Sequence, residues 1–183
     1  MITYRDEETN ERCGVSNDHS AFSVQHSEFG RESVWDYPRP PRVEATNRRV
    51  QVFFNGVLIA DTRRALRVLE TSHPPVYYIA PADIRMEHLA QTPRSSFCEF
   101  KGRAGYYTIA VGNKTAVNAA WFYPNPSAGY EALAGYVAFY PGRMDQCLVD
   151  GETVTPQPGD FYGGWITSEI VGPFKGGPGT AGW

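Results

Sequence analysis

The sequence predicts a mostly β, single-domain protein with an antiparallel barrel-like or two-sheet fold, because of its composition and the spacing of its turns. Aromatic residues make up 14% of the 183 residues, alongside 18 glycines and 14 prolines. This composition is typical of short strands joined by tight turns. Turn signals recur roughly every 8–12 residues, which is the spacing of a two-sheet or barrel-like antiparallel fold.

The chain divides into a polar segment, a core and an aromatic tail. Residues 1–33 are polar and lack helical or strand periodicity, so we expect a mobile arm. The core, 34–155, begins with a proline-rich lead-in expected to lie against its surface. Residues 156–183 are rich in glycine and proline but carry large apolar side chains. Because linkers seldom hold so many of these, the tail is predicted to pack on the core and bury Trp165 and Phe174.

The elements of the core follow from alternating apolar and polar residues between turn signals. The Asn-Gly pair at 55–56 is a strong hairpin signal, and an Asp-Gly pair at 150–151 marks another hairpin. Pro81 suits the first position of a short helix, predicted at 82–89. The predicted strands are 49–54, 57–61, 64–70, 76–80, 96–100, 105–111, 115–123, 136–140, 145–149 and 152–154.

Several classes of protein are disfavoured by the sequence. The formal charge is −3 and there is no basic run, so nucleic acid is not an expected partner. Cys13, Cys98 and Cys147 are widely spaced, which predicts neither a zinc site nor a disulfide framework. Residues 1–8 do not resemble a signal peptide, and no apolar stretch approaches the roughly 20 residues that span a bilayer. We therefore expect a cytoplasmic protein that does not enter membranes.

Glu70 is the sharpest candidate site residue. A strand at 64–70 places it on the same face as Leu66 and Val68, the expected interior. A carboxylate there must find a partner or take up a proton, because an unpaired buried charge costs several kcal/mol. The alternative is a glutamate exposed at the strand end. Arg64 has the same parity but lies roughly 20 Å away along an extended strand, so a cation for Glu70 must come from another strand.

Cys98 and Lys101 form a second candidate. A lysine near a thiol lowers the thiol pKa and makes it a better nucleophile. Strict alternation puts the two side chains on opposite faces unless a turn begins at 101–102. The simpler interpretation of Cys98 is a buried, unreactive residue, whereas Lys101 is a candidate anion binder.

Tyrosines and tryptophans form a third group. Core packing explains most of them, but several hydroxyls and an indole around one cavity would also form a pocket for a ring-bearing ligand. His73 precedes two prolines and is interpreted as a turn residue. The candidate pocket residues are Tyr78, Trp121, Tyr123 and Tyr140.

Five segments, in this order, resemble the family known as domain of unknown function 427: RRALRVLE at 63–70, PVYYI at 75–79, FCEFKG at 97–102, NAAWFYP at 118–124 and GYVAFYP at 135–141. The resemblance covers about 50–150, and 34–41 and 161–183 resemble the flanks of a longer form. It implies a β-tent-like fold, two antiparallel sheets meeting at an angle. Other β-tent proteins often carry a four-cysteine zinc site, but this chain lacks the paired cysteines.

The resemblance implies no established reaction. A nucleotidyltransferase label is sometimes attached to the family. This sequence, however, has no paired aspartates on a strand after a Gly-Ser, the pattern for metal-dependent phosphoryl transfer.

These observations predict a small-molecule enzyme, with Glu70 as general acid/base and Lys101 or Arg64 holding an anionic group of the substrate. No nucleotide-binding motif is present and no cofactor is expected, so reactions that need only proton transfer fit best: isomerisation, cyclisation, hydration or decarboxylation. One alternative is a non-catalytic module that binds a small ligand or peptide end. The other is a scaffold whose tyrosines are simply core.

Overall fold

The computed structural model describes residues 30–159 and 161–183. The arm predicted at 1–33 therefore lies largely outside the described residues, as does Cys13. The described strands are β1 (Glu32–Ser33), β2 (Arg42–Ala45), β3 (Val50–Phe54), β4 (Val57–Thr62), β5 (Leu66–Glu70), β6 (His73–Ile79), β7 (Leu89–Cys98), β8 (Gly102–Val111), β9 (Lys114–Phe122), β10 (Val137–Phe139), β11 (Gln146–Val149), β12 (Glu152–Thr153), β13 (Thr155–Pro156), β14 (Trp165–Ile166) and β15 (Ile170–Val171).

Two antiparallel sheets dominate the fold, as the sequence predicts. The larger has the order β2-β5-β6-β10-β9-β8-β7, and the smaller has the order β12-β11-β3-β4. The prediction of a mostly β protein is confirmed. The larger sheet stays open, with β2 and β7 at its edges, so it does not form a closed barrel.

The larger sheet carries apolar side chains on both faces. Successive side chains in a strand point to opposite faces. Tyr77 of β6 therefore joins the main core, which includes Phe54, Ile59 and Phe139. Tyr78, its neighbour, joins a second apolar cluster on the opposite face. This second cluster builds the candidate site.

The tail packs on the core, but only one of the two tail residues predicted to be buried is fully buried. Trp165 is fully buried and donates a hydrogen bond from Nε1 to the backbone oxygen of Phe139 at 3.2 Å. Phe174 is only partly buried. Residues 32–33, assigned to the arm by the sequence, form β1 and pair in parallel with β15. The lead-in and the tail thus belong to one packed unit.

The helix predicted at 82–89 is wrong. Two short 3₁₀ turns, Pro81–Asp83 and Met86–His88, occupy this stretch. The backbone amide of Arg85 donates to the carbonyl of Ile59 at 2.8 Å, which takes up a group that a helix would need for its own hydrogen bonds. The described 3₁₀ turns are Pro81–Asp83, Met86–His88, Glu131–Leu133 and Pro141–Arg143.

The two described cysteines are both free thiols in strands. Cys147 is buried, and burial raises its pKa. Cys98, predicted to be buried, is only partly buried. Within residues 30–159 and 161–183, no group of three or more His, Cys, Asp or Glu side chains is placed to hold a metal ion. No helix in this part of the chain is both long and apolar enough to cross a membrane.

Candidate active site

A cavity of about 420 Å³ lies on the face of the larger sheet opposite the main core. Its volume falls in the range of small-molecule sites, roughly 300–1,000 Å³. The walls come from strands β5 to β9, the residues that follow β9 and β10, the β7–β8 turn, the lead-in and the tail. Its aromatic lining includes Tyr78, Tyr106, Trp121, Tyr123 and Tyr140.

A carboxylate between two cations forms the ionic end of the cavity. Glu70 Oε2 lies 3.6 Å from Lys101 Nζ, and Glu70 Oε1 lies 3.5 Å from Arg39 Nη2. The Glu70 side chain is 20% exposed and that of Lys101 only 10%. Both separations exceed the roughly 2.7–2.9 Å of a good charge-assisted hydrogen bond. The three groups are therefore held near one another without being fully paired.

Strand β5 brings Glu70 to this position as its parity predicts. Val68 and Glu70 both line the cavity. The cations come from elsewhere in the fold: Arg39 from the lead-in and Lys101 from the β7–β8 turn. Neither residue lies in a strand, so the expectation of a cation from another strand is wrong as stated, although both cations come from outside β5.

The β7–β8 turn places Cys98 and Lys101 on the same cavity. Cys98 pairs with Gly102 across the hairpin, so residues 99–101 form the connecting turn. Gly102 has a φ of 93°, and a Cβ atom there would lie 3.0 Å from Ser127 Oγ. A side chain at this position would be strained, so glycine allows the turn. Because of this turn, the side chains of Cys98 and Lys101 do not lie on opposite faces, as strict alternation along a strand would predict.

His73 also lines the cavity, although the sequence interpretation placed it in a turn. It is the first residue of β6, opposite Glu70 in the register, and is 7% exposed. Its Nδ1 donates to the carbonyl of Thr71 at 3.0 Å, which leaves Nε2 as an acceptor. Within the described residues, buried Nε2 has no hydrogen-bond partner.

The pKa of His73 is lowered. Burial is the largest cause, and the positive charges of Lys175 and Arg39 act in the same direction. The hydrogen bond to Thr71 and the charge of Glu70 oppose the shift. The imidazole is therefore neutral at pH 7.

The tyrosine hydroxyls form a neutral polar lining. Burial raises the pKa of Tyr78, Tyr123 and Tyr140, so all three stay protonated at pH 7. The Trp121 indole donates to the Tyr78 hydroxyl at 3.2 Å, and the rings of Trp121 and Tyr140 have centroids 4.5 Å apart. This wall can both pack against a ring and hydrogen-bond to its polar groups.

The tail closes one side of the cavity. Gly163 lies so near Trp121 that a Cβ atom would stand 2.2 Å from the indole ring, so glycine permits the approach. Gln157 donates from Nε2 to the Lys175 carbonyl at 2.8 Å and accepts from the Gly164 amide at 3.1 Å. These contacts hold Lys175, a third cation that lines the cavity.

Arg64 lies outside the cavity, in contrast to the sequence prediction. It donates from Nε and Nη2 to Asp83 at 2.8 and 2.7 Å, and its side chain is 67% exposed. It lines a separate open groove with Arg48 and Arg67. Arg64 differs from the prediction because β5 begins only at Leu66. Arg64 therefore lies outside the strand, and the alternation of faces along the strand does not determine where its side chain points.

The structure thus brings together six of the seven predicted site residues: Glu70, Lys101, Tyr78, Trp121, Tyr123 and Tyr140. It adds residues that the sequence interpretation missed. Arg39 and Lys175 lie in segments without periodicity, so no pattern indicates which way they point. The lining residues that were missed include Arg39, His73, Tyr106, Gln157, Lys175 and Trp183.

Fold and site together define a mostly β protein with an aromatic-walled cavity that holds a largely buried ion pair. Residues 42–150 match the family described as domain of unknown function 427, and the chain belongs to this family. The matched range contains Glu70 and Lys101, whereas Arg39 and Lys175 lie outside it. A comparison with curated proteins finds no match.

Proposed function

We propose that the chain is a small-molecule enzyme that carries out cofactor-independent proton transfer, of the isomerase, cyclase or lyase type, in this cavity. The observation that carries the proposal is the convergence of Glu70 and Lys101 at 3.6 Å on an aromatic-walled cavity. A positioned carboxylate can take or give a proton in the transition state, which typically contributes about 10²–10⁴-fold to the rate.

Each group has a role in this proposal. Glu70 moves the proton, and Lys101 stabilises negative charge that develops on the substrate. Tyr78 and Tyr123 offer protonated hydroxyls to a carbonyl or enolate oxygen, as in other sites where neutral donors meet a developing oxyanion. Trp121 packs against the substrate ring.

A second candidate function is a non-catalytic module that binds a small ligand or peptide end. It is favoured by Glu70 itself, because each of its oxygens lies near a cation and the carboxylate can be understood as a charge partner alone. The aromatic wall would then provide the affinity without any reaction.

Exchange of carbon-bound hydrogen for deuterium distinguishes the two functions. The full chain is incubated in D₂O with pools of small cyclic carbonyl compounds and acids, and NMR follows loss of C–H signals and appearance of products. We expect exchange or conversion of at least one compound, slowed about 10²–10⁴-fold by Glu70→Gln. Glu87→Gln, an exposed glutamate away from the cavity, is the matched control and should leave the rate unchanged.

Thermal unfolding of each variant separates loss of chemistry from loss of fold. If Glu70→Gln keeps the full rate, Glu70 does not transfer the proton and the proposal is wrong. If compounds bind without exchange or conversion, the binding module is the better description.

A further inference from the structure

We infer that the ligand of the cavity is a monoanionic aryl carboxylic acid whose carboxylate binds to the donors of Arg39 and Lys101 that Glu70 does not use. This inference rests on the proposed use of the cavity as a small-molecule site and specifies the class of its substrate. It also assigns Arg39, in place of Arg64, as the residue that binds the anion together with Lys101.

The charges around the cavity favour one negative charge on the ligand. At its ionic end, Arg39 and Lys101 face the carboxylate of Glu70. The Lys175 ammonium is engaged elsewhere, because it donates to the main-chain oxygen of Trp183, and Glu99 is exposed to solvent. The sum at the ionic end is therefore +2 − 1 = +1. Because an enclosed charge needs a counter-charge, a monoanion neutralises the cavity, whereas a dianion leaves an excess negative charge.

Both cations at the ionic end keep donors for a ligand. Arg39 uses Nη2 for Glu70, at 3.5 Å, and for the carbonyl of Thr71, at 3.2 Å. Among the described residues, its Nε and Nη1 make no hydrogen bond. Lys101 Nζ approaches Glu70 only to 3.6 Å, beyond ordinary hydrogen-bond length. A guanidinium with free donors beside a largely buried ammonium is a suitable carboxylate site.

The aromatic wall selects a ring and disfavours a cation. Aromatic cages bind ligand cations through their ring faces. Here the Arg143 guanidinium already lies 5.0 Å from the Tyr140 ring centre, and Arg94 lies 4.9 Å from that of Tyr106. Neither arginine lines the cavity, but each already occupies a ring of its wall, and a cationic ligand would be repelled by Arg39 and Lys101, which do line it. An apolar ring attached to an anion encounters no such repulsion.

Benzoate and benzamide test the inference, since they have nearly the same shape and differ in charge. Binding to the full chain is measured by isothermal titration and by the indole N–H signal of Trp121 in ¹⁵N-resolved NMR. We expect benzoate to bind and to shift this signal, with benzamide at least about tenfold weaker. Arg39→Gln should weaken benzoate about tenfold or more and leave benzamide unchanged.

Arg42→Gln is the matched control for Arg39. Arg42 also pairs with a carboxylate, that of Glu44 at 3.2 Å, and its side chain is 49% exposed against 38% for Arg39, but it does not line the cavity. We expect no change in benzoate affinity. Thermal unfolding of both variants verifies that the fold is retained.

Three outcomes overturn the inference. Equal affinity for benzoate and benzamide removes the anion requirement. Tighter binding of phenyl phosphate than of benzoate favours a dianion, and absence of benzoate binding at millimolar concentration excludes the simple aryl carboxylate. None of these outcomes decides the proposed function. Deuterium exchange is measured with a wider set of compounds, which are not limited to aryl carboxylic acids.

Discussion

The coupling between Glu70 and Lys101 can be measured by a double-mutant cycle with Glu70→Gln, Lys101→Met and the double variant. Both substitutions approximately preserve the shape of the side chain and remove its charge. The side chains are 20% and 10% exposed and their charged atoms are 3.6 Å apart. Solvent therefore screens the pair only weakly.

The expected magnitude follows from this distance. At 3.6 Å and an effective dielectric constant of about 20, the gross attraction is about 4–5 kcal/mol. The desolvation of both ions offsets most of it. We therefore expect a coupling free energy of about 1–2 kcal/mol, and a loss of about 1–3 kcal/mol in the free energy of unfolding for Glu70→Gln.

The two single variants should differ in a definite order. Glu70→Gln leaves Arg39 and Lys101 near one another without the carboxylate between them. Lys101→Met leaves Glu70 with Arg39 as a partner. Glu70→Gln should therefore be the more destabilising change, and the double variant should lose less stability than the sum of the two.

Urea unfolding at pH 7 measures the four free energies, with Glu87→Gln as the control expected to stay within about 0.5 kcal/mol of the unmodified chain. Additivity within about 0.3–0.5 kcal/mol would mean that the ion pair contributes no coupling. A Lys101→Met variant less stable than Glu70→Gln would refute the charge arrangement described here.

Two further predictions concern the tail and the histidine. Trp165→Ala should lower the free energy of unfolding by about 3–5 kcal/mol, because the indole is fully buried and hydrogen-bonded. If urea unfolding shows a loss below about 1 kcal/mol, the tail does not stabilise the core. Because the pKa of His73 is lowered in the folded state, the unfolded chain binds the proton first as pH falls below about 6.5. The contribution of His73 to the free energy of unfolding should therefore be fully present above this pH and decrease between about 6.5 and the lowered pKa. His73→Gln should flatten this part of the plot of unfolding free energy against pH. His88→Gln, the control, should leave it unchanged.

Strands β3 to β6 and β8 to β12 were predictable, because each depends on local alternation and on a turn that the sequence marks. Strands β2 and β13 to β15 and residues 89–95 of β7 were not predicted. The Asn-Gly pair at 55–56 gave the β3–β4 hairpin, and the parity of β5 placed Glu70 on the cavity. The helix at 82–89 was not predictable from Pro81, because the backbone of this stretch bonds to β4, a partner distant in sequence. Long-range hydrogen bonds override a local preference of this size.

The cavity itself was only half predictable. Residues on regular strands, such as Tyr78 and Trp121, could be identified as candidates from their types and segments. Lys101 reaches the site through a turn whose geometry depends on Gly102. Arg39 and Lys175 come from segments without periodicity, which fold against the cavity only in the complete structure. Irregular segments thus provided two of the three cations.

A comparison of ion pairs within this chain favours a site over a scaffold. Most other pairs are close: Arg49 to Asp61 at 2.6 Å, Arg64 to Asp83 at 2.7 Å and Arg67 to Glu32 at 3.0 Å. The exception is Arg48, which lies 3.8 Å from Asp150 but pairs more closely with Glu169. The contacts of Glu70 are longer, at 3.5 and 3.6 Å, although burial should favour closer pairing.

The same cavity holds the unpartnered Nε2 of His73, and a buried acceptor left unpaired costs about 1–3 kcal/mol. A scaffold gains nothing from such groups, since apolar residues of similar volume are often as stable as a buried ion pair or more so. Among the described residues, three other buried polar atoms without a hydrogen-bond partner lie outside the cavity, on Ser72, Thr167 and Glu169. In the cavity, however, the unpaired nitrogen of His73 lies opposite the loosely paired Glu70, and such a combination is typical of a site completed by a ligand. If Arg39→Gln and Lys101→Met both stabilise the chain and neither alters benzoate binding, this reasoning is wrong and the cavity is only a gap in the packing.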